Sequence, residues 1–189
     1  MWVQDNWAET TIKKMFFEEL VPANKLNENE IPQLKQQSQV HLKKSGWRLR
    51  PCTGFLTLQD YLTNLAFKMY PATQIMRHKD SVNYSFEPDI IHDVFGHQAC
   101  MLIPEVNQLH HKCGLASIVS EPHERELLAA IFWFTFEVGL CWDEHDPTKK
   151  SLLGGSLLSG ITDSQVAMDS LTLLSPLDSD LGRLRYSDI

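Results

Sequence analysis

Two histidines, His92 and His97, stand five residues apart in the segment FEPDIIHDVFGH, residues 86–97. Imidazole nitrogens are common ligands of transition metals, and carboxylates frequently complete such sites. The spacing differs from the four-residue spacing of the H-E-x-x-H motif of zinc proteases. At about 100° per residue, side chains five apart on a continuous α-helix point about 140° away from each other. We therefore expect the two imidazoles to converge only through a change of chain direction at Gly96.

A third candidate ligand lies in the segment IFWFTFEVGLC, residues 131–141. Glu137 is flanked there by aromatic and aliphatic residues, and a helix that is apolar on all sides is a buried helix. A buried carboxylate must be paired, protonated or bound to a cation, so a core ion pair is one alternative. With His92 and His97, Glu137 would complete a set of two imidazoles and one carboxylate. Non-haem iron(II) oxygenases use this set, and zinc hydrolases can use the same ligand types.

Composition and charge limit the other functions that the chain could have. The chain has 189 residues, 43% of them hydrophobic, which predicts one compact domain. The net charge is −7 and no run of lysine or arginine occurs, so nucleic acid and anionic membranes are poor partners. The sequence shows neither a signal peptide nor a membrane span, and its four scattered cysteines predict reduced, core-packed thiols in the cytoplasm.

The elements that must position these residues are mainly helical. Apolar spacing and helix-breaking residues predict helices over 2–20, 33–44, 57–70, 88–95, 104–117 and 122–141. The third of these begins at Thr57, which has Asp60 three residues later, and is expected to stop at Pro71. Residues 22–32 are interpreted as a connector, 48–56 as a loop or short edge strand, and 174–189 as a weakly patterned tail. The fold class is therefore mainly α, with one small strand pair.

The remaining histidines are interpreted as polar surface residues. His110 and His111 are adjacent on a predicted helix, so their side chains point about 100° apart and cannot share one ion. Solvated or helix-end positions are expected for both. Four further histidines stand in polar segments and are expected at the surface: His41, His78, His123 and His145.

The metal motif has a familiar form. E-P-D-I-I-H-D-V-F-G-H resembles the iron motif E-P-D-x-x-H-E-x-x-G-H of the pterin-dependent aromatic amino acid hydroxylases, which include phenylalanine 4-monooxygenases. The resemblance runs in order over about residues 31–160. It includes IPQL (31–34), RLRP (48–51), T-Q-x-x-R-H (73–78), GLAS (114–117), W-F-T-x-E-x-G-L-C (133–141) and GGSLLS (154–159).

The resemblance implies an architecture and an activity. Residues 1–189 would form a single catalytic domain of the hydroxylase type, mainly α with a few short strands. It would lack the regulatory domain and tetramerising helix of the animal enzymes, and be a monomer or weak dimer. The implied activity is an iron(II)-, tetrahydropterin- and O₂-dependent monooxygenase that hydroxylates an aromatic amino acid, with phenylalanine as first candidate. His92, His97 and Glu137 would hold the iron, and Asp89 would accept a hydrogen bond that orients an imidazole. An ordinary first-turn helix acid is the alternative for Asp89.

Five positions match the family's substrate site. Arg77 would bind the amino acid's carboxylate through its guanidinium fork, and Ser159 would help to hold it. Ser85 keeps a hydroxyl where the family has threonine. Pro88 and Trp133 would line the side-chain pocket, although a core aromatic is a serious alternative for Trp133.

The pterin side matches the family less closely. Its six candidates are Gly54, Phe55, Leu56, Tyr61, Asp93 and Phe132. Tyr61 stands where the family has phenylalanine, Asp93 where it has glutamate, and Phe132 where tyrosine is frequent. Two alternatives therefore stay open. One is a repurposed or non-catalytic metal-binding relative with an altered pterin site, and the other is a zinc hydrolase with Asp93 as general base.

Overall fold

The computed structural model describes residues 7–83, 85–143, 146 and 148–169, and this part of the chain is mainly helical. The helices are α1 (Thr10–Lys14, continuing through Met15–Leu20 and Val21–Asn24), α2 (Leu34–Ser45), α3 (Leu58–Ala66), α4 (Pro104–Val119), α5 (Pro122–Phe132), α6 (Gly155–Ser159) and α7 (Ile161–Asp169). The strands are β1 (Arg48–Cys52), β2 (Met69–Thr73), β3 (Leu140–Trp142) and β4 (Lys150–Leu152). Three segments are π-helical, namely Met15–Leu20, His92–His97 and Trp133–Glu137, and Lys79–Ser81 and Cys100–Leu102 are 3-10 turns.

Within the described residues the strands form two small sheets, where the sequence predicts one strand pair. β1 and β2 are parallel, in register from Arg48 opposite Met69 to Cys52 opposite Thr73, and β3 and β4 are antiparallel. Parallel neighbours need a crossover connection, which α3 supplies. The prediction of a helix over 57–70 is therefore wrong at its end. α3 stops at Ala66, Lys68 turns the chain at a φ of 53°, and residues 69–73 form β2.

The helix predicted over 2–20 is described only from Trp7 onwards, where residues 7–9 are not helical, and it ends later than its periodicity predicts; residues 2–6 lie outside the described residues. Leu152 of β4 donates from its backbone N–H to the Trp7 carbonyl (2.8 Å) and accepts from the Glu9 N–H (3.0 Å). These bonds hold the chain extended before Thr10. The Glu9 carboxylate then caps α1 by accepting from the N–H groups of Thr11 and Ile12. The helix runs past Leu20 to Asn24, so the connector predicted over 22–32 begins at Lys25.

Two apolar clusters enclose the segment that carries the histidines. One joins α1 to β4 and α6 through Ile12, Phe16, Leu20, Leu152, Leu157 and Leu158. The other joins α3, β2 and the end of the glutamate-bearing helix through Trp47, Leu62, Leu65, Tyr70, Phe132 and Phe136. Phe95 packs on Phe16 of the first cluster with ring centroids 5.3 Å apart, and His97 packs on Tyr70 of the second at 5.5 Å. The segment 92–97 is therefore fixed on both sides.

Two of the histidines expected at the surface are buried. His41 is 0% exposed and His110 is 1% exposed. The His110 ring lies 3.9 Å from that of Phe136, and its Nδ1 is 2.8 Å from the Val106 carbonyl oxygen. His111 is half-buried, while His78 and His123 are exposed as predicted. Polar neighbours in the sequence were misleading because α2 and α4 turn these two side chains inward. His145 and the tail 174–189 lie outside the described residues.

The described cysteines are free, and Cys100 and Cys113 are buried as predicted, whereas Cys52 and Cys141 are only half-buried. None of the helices in the described ranges combines the length and the apolar composition needed to cross a bilayer.

Burial of His41 predicts a loss of stability in mild acid. Burial lowers the pKa of His41 from 6.5 to about 4, so the folded state resists protonation and the unfolded state does not. Stability is then full above pH 6.5 and falls as the pH drops towards 4. At pH 5 the loss amounts to about 2 kcal/mol for this residue.

We expect His41→Leu to reduce the drop in unfolding free energy between pH 7.5 and 5.0 by about this amount, measured by urea unfolding of chelator-treated protein. His123→Leu, at an exposed histidine, is the control, and an equal drop in wild type and His41→Leu would contradict the expectation.

Candidate metal centre

A π-helical turn brings the two histidines together. Residues 90–97 are continuously helical, and over His92–His97 the helix widens to the π form, which is seen in the bond from the Gln98 N–H to the Asp93 carbonyl (3.0 Å). In a π-helix each N–H bonds five residues back, so residues five apart lie one turn apart on the same side. The Nε2 atoms of His92 and His97 are 2.8 Å apart. The convergence is as predicted, but the predicted break at Gly96 is wrong.

Gly96 serves packing instead. A Cβ atom built at this position would lie 2.4 Å from the carbonyl oxygen of Gly155, which is a forbidden contact. The lack of a side chain at Gly96 therefore lets the start of α6 lie directly against the π-turn of the histidines.

A second π-turn presents Glu137. The predicted helix over 122–141 is α-helical only to Phe132, continues as π over Trp133–Glu137 and gives way to β3 at Leu140. Glu137 is 8% exposed. Its Oε1 lies 3.2 Å from the Nε2 of His97, and its Oε2 lies 3.6 Å from the Nε2 of His92. Each of the three candidate ligands therefore comes from a helix widened locally to the π form.

These three side chains can enclose one metal ion. Their ligand atoms all lie within 4.8 Å of one another, and within the described part of the chain no other group of His, Cys, Asp or Glu does this. Nitrogen and oxygen atoms bound at about 2.1 Å to one ion lie about 3 to 3.5 Å apart in octahedral or tetrahedral geometry. The Nε2–Nε2 separation of 2.8 Å and the 3.2 Å from the Oε1 of Glu137 to the Nε2 of His97 lie close to this spacing, while the 3.6 Å to the Nε2 of His92 is measured from the other carboxylate oxygen, Oε2.

Burial and the neighbouring charges shift the pKa of all three side chains. Burial by itself would raise the pKa of Glu137, but the charge and hydrogen bond of His97, then His92 and Ser156, outweigh it and lower the pKa to about 2. Burial, followed by the charge of His97, lowers the pKa of His92 to about 4. Burial opposes protonation of His97, but Glu137 outweighs it and raises the His97 pKa. Glu137 is therefore held ionised by the neighbouring imidazoles, which is the state in which a buried carboxylate can pair with an imidazole or bind a cation.

Ser159 sets the tautomer of His92. Its hydroxyl donates to the Gly155 carbonyl at 2.8 Å and lies 3.1 Å from the Nδ1 of His92. Because the one hydroxyl proton points to the carbonyl, the oxygen accepts from Nδ1–H. The lone pair of His92 is then on Nε2, the atom that faces His97 and Glu137.

Asp89 contacts the backbone of His92 and the side chain of Arg77, not an imidazole ring as predicted. Its carboxylate is fully buried and accepts from the backbone N–H of His92 (2.9 Å), and from the backbone N–H and guanidinium of Arg77 at 2.8 to 2.9 Å. Burial would raise the pKa of Asp89, but Arg77 and the His92 N–H outweigh it and hold the pKa below its ordinary value. The predicted contact with an imidazole is made by Ser159 instead.

Most N–H groups of the Arg77 guanidinium are hydrogen-bonded to other residues of the protein. Besides Asp89, it donates from Nη1 to the carbonyl oxygens of Ser159 (2.8 Å) and Val82 (3.2 Å). The described contacts therefore use four of its five N–H groups and leave one on Nη2. A two-pronged contact with a substrate carboxylate, as predicted, would require one of these bonds to open.

The other predicted substrate residues lie close to the ligands along the chain. Trp133 is half-buried and begins the π-turn that ends in Glu137. Pro88 is half-buried and directly precedes Asp89. The Ser85 hydroxyl donates to the Glu87 carbonyl at 2.6 Å, so in this structure it secures its own loop.

The six predicted pterin residues divide into two groups. Gly54, Phe55 and Leu56 form a loop in which Gly54 is half-buried with a φ of 128°, Leu56 is exposed, and Phe55, 60% exposed, packs edge-on against Phe86. Asp93, Tyr61 and Phe132 lie in the wall of the site instead. Phe132 packs on Tyr61 at 5.2 Å.

Asp93 faces β2. It is 3% exposed and accepts from the Tyr70 hydroxyl (3.1 Å) and from the N–H and hydroxyl of Thr73 (2.6 and 2.8 Å). Burial, only partly opposed by these bonds, raises its pKa to about 6. The Asp93 carboxylate is therefore engaged by β2 in this structure, and its role at the pterin stays a prediction.

Sequence reasoning missed two residues of the site. Tyr70 was assigned to the end of a helix, although its place in a M-Y-P-A-T segment with two strand-forming residues favours a strand. Ser156 donates from its hydroxyl to the Oε2 of Glu137 at 2.8 Å. It lies within the GGSLLS motif, three residues before Ser159, on the same face of α6.

A buried group of two imidazoles and one carboxylate in a mainly helical domain defines a mononuclear metal centre of the facial-triad class. The family profile described as biopterin-dependent aromatic amino acid hydroxylase matches residues 6–186. The chain therefore belongs to the biopterin-dependent aromatic amino acid hydroxylase family.

Individual relatives agree with this assignment. Tyrosine 3-monooxygenase of Drosophila melanogaster is 39% identical over 141 residues, covering 72% of this chain and 24% of the relative. The chloroplastic phenylalanine 4-monooxygenase of Pinus taeda is 32% identical over 196 residues, covering 96% and 54%. The structure of phenylalanine hydroxylase from Legionella pneumophila superimposes with a TM-score of 0.82 at 25% identity, covering 96% of this chain and 76% of that one. The chain thus spans between a quarter and about half of the length of these two curated relatives.

Proposed function

We propose that the chain binds iron(II) and, with a tetrahydropterin and O₂, hydroxylates the ring of an aromatic amino acid, with phenylalanine as the first candidate. The observation that carries this proposal is the buried cluster of His92, His97 and Glu137 at the family's metal motif. Iron and the pterin together would supply the activation of O₂, which side chains cannot perform. The protein would supply ligands, orientation and a site shielded from water.

The residues around the cluster support these tasks. His92 would bind through Nε2, because Ser159 holds its Nδ1–H. Asp89 fixes the start of the histidine π-turn and ties it to Arg77. The ligand set leaves three positions of an octahedral ion open for substrates.

The amino acid would be placed beside this ion by residues from two chain segments. We propose that Arg77 uses its remaining Nη2 N–H for the carboxylate, and that Pro88 and Trp133 flank the ring. Phenylalanine is the first candidate because the Pinus taeda relative, whose match covers 96% of this chain, is by its name a phenylalanine 4-monooxygenase. The Drosophila relative acts on tyrosine by its name, so the assay includes both.

A second candidate is a metal-binding relative that does not use a pterin. The sequestered position of Asp93, Tyr61 and Phe132 favours it, because these side chains pack against each other or against β2. The zinc hydrolase is disfavoured. A general base must reach a water molecule, whereas Asp93 is 3% exposed and already accepts three hydrogen bonds.

Product analysis tests the proposal. Full-length protein is incubated with iron(II), a tetrahydropterin and O₂, together with phenylalanine, tyrosine or tryptophan in turn, and hydroxylated products are identified by mass spectrometry. We expect a product with one added oxygen from phenylalanine, and none when iron(II) is replaced by zinc. Iron binding without any product or pterin oxidation would support the second candidate. Failure to bind iron(II) would overturn the hydroxylase, and failure to bind any divalent metal would overturn both candidates.

A further inference from the structure

Ser156 is a polar group of the metal centre that the metal motif does not include. Its hydroxyl lies 2.8 Å from the Oε2 of Glu137, and it is the donor in this bond because an ionised carboxylate can only accept. The same carboxylate reaches His97 through Oε1, at 3.2 Å. Oε2 therefore accepts from a hydroxyl at 2.8 Å and lies 3.6 Å from the Nε2 of His92, whereas Oε1 has the shorter approach to a ligand imidazole.

The position of Ser156 is fixed by the contacts of α6. Gly155 precedes it, and a Cβ atom there would lie 2.4 Å from the Nε2 of His97, so the helix backbone lies directly on the ligand ring. Three residues further on, Ser159 contacts His92. One short helix thus carries two hydroxyls three residues apart, and each contacts a different metal ligand.

We propose that Ser156 is a positioning residue that holds the Oε2 of Glu137 and leaves Oε1 as the atom that binds the metal. The inference rests on the proposed iron site. Glu137 has several rotatable bonds, and without a partner for Oε2 the carboxylate can rotate or bind through both oxygens. A hydrogen bond from a neutral donor to an ionised acceptor is among the stronger kinds, so it restricts this choice. Ser156 would thereby keep a coordination position open that a two-oxygen carboxylate would fill.

The test compares three substitutions in the full chain. Ser156→Ala removes the hydroxyl, Ser156→Thr retains it, and Ser120→Ala removes a half-buried hydroxyl at the end of α4, which donates to the Ala116 carbonyl. Cobalt(II) alone is the probe. Its dissociation constant is measured by competition with a chelator, and its visible absorption reports the coordination number. Far-ultraviolet circular dichroism confirms that each variant is folded.

We expect Ser156→Ala to weaken cobalt(II) binding about 10- to 100-fold, the range typical of groups that orient a metal ligand. Its visible spectrum should also shift, while Ser156→Thr and Ser120→Ala resemble wild type. If wild type binds cobalt(II) and Ser156→Ala matches it in affinity and spectrum, the positioning role is wrong and the metal site stands. If Ser156→Thr is as impaired as Ser156→Ala, the hydroxyl is not the cause and the role is equally wrong. If wild type itself binds neither cobalt(II) nor iron(II), the proposed function is wrong, and the role of Ser156, which depends on the metal site, is wrong with it.

Discussion

Glu137→Ala should abolish iron retention. The substitution removes the only carboxylate of the three-ligand cluster and leaves two imidazoles whose side chains are 12% and 2% exposed. Loss of an orienting neighbour typically lowers metal affinity 10- to 100-fold, so loss of a ligand should lower it by more than about 100-fold. The measurement is the iron content of protein that is loaded with iron(II) under nitrogen and desalted. The electron paramagnetic resonance signal of the nitric oxide adduct provides an independent reading.

Two further variants make this result specific. Glu137→Gln keeps the size of the side chain and removes its charge, so it separates loss of the ligand from a packing defect. Glu126→Gln changes an exposed carboxylate on α5, the helix that leads to Glu137, and should retain iron like wild type. Iron content near one ion per chain in Glu137→Ala would show that the cluster is not the metal site.

Arg77→Ala should be among the most destabilising single substitutions in the chain. The Arg77 and Asp89 side chains are 4% and 0% exposed and lie 2.8 Å apart. Removing one partner of a buried pair leaves the other charge without compensation, at a cost of about 3 to 5 kcal/mol. This is a large share of the about 5 to 15 kcal/mol by which a domain is stable. We expect a matching decrease in the free energy of unfolding, measured in urea on metal-free protein.

A double-mutant cycle checks the cause of this loss. Arg77→Ala combined with Asp89→Ala removes both charges, so the double variant should be more stable than the sum of the two single losses predicts. Lys44→Ala is the matched control, since it breaks a cation–carboxylate pair with Glu19 whose side chains are 36% and 43% exposed. Exposed pairs contribute about 0 to 1 kcal/mol. If the two single losses simply add, the ion pair is not the origin of the effect.

The metal ligands were predictable from residue types because each can be recognised within a short segment of the chain. In the case of Glu137, burying the carboxylate without a partner would cost too much free energy. A carboxylate within IFWFTFEVGLC needs a partner in any fold that buries the segment, and two nearby histidines supply one. The helices over 33–44 and 104–117 were also predictable, because their capping residues and breakers lie within the same stretch of chain. The residues around Asp93 show the limit of this reasoning. Whether that side chain faces a cofactor or β2 depends on Tyr70 and Thr73, about 20 residues away, and no local pattern encodes their approach.

The sequence by itself determined which atoms are available to bind a metal, the mainly helical class of the domain and its membership of a hydroxylase family. Only the tertiary structure decided how those atoms meet. Packing of α6 against Gly96, and of β2 against Asp93, holds the histidine segment in a widened turn that propensity does not favour. Burial likewise determined that Asp89 pairs with Arg77 and that Ser156 supports Glu137. These contacts join residues 12 and 19 positions apart, and their energies depend on exclusion of water, which only the folded chain provides.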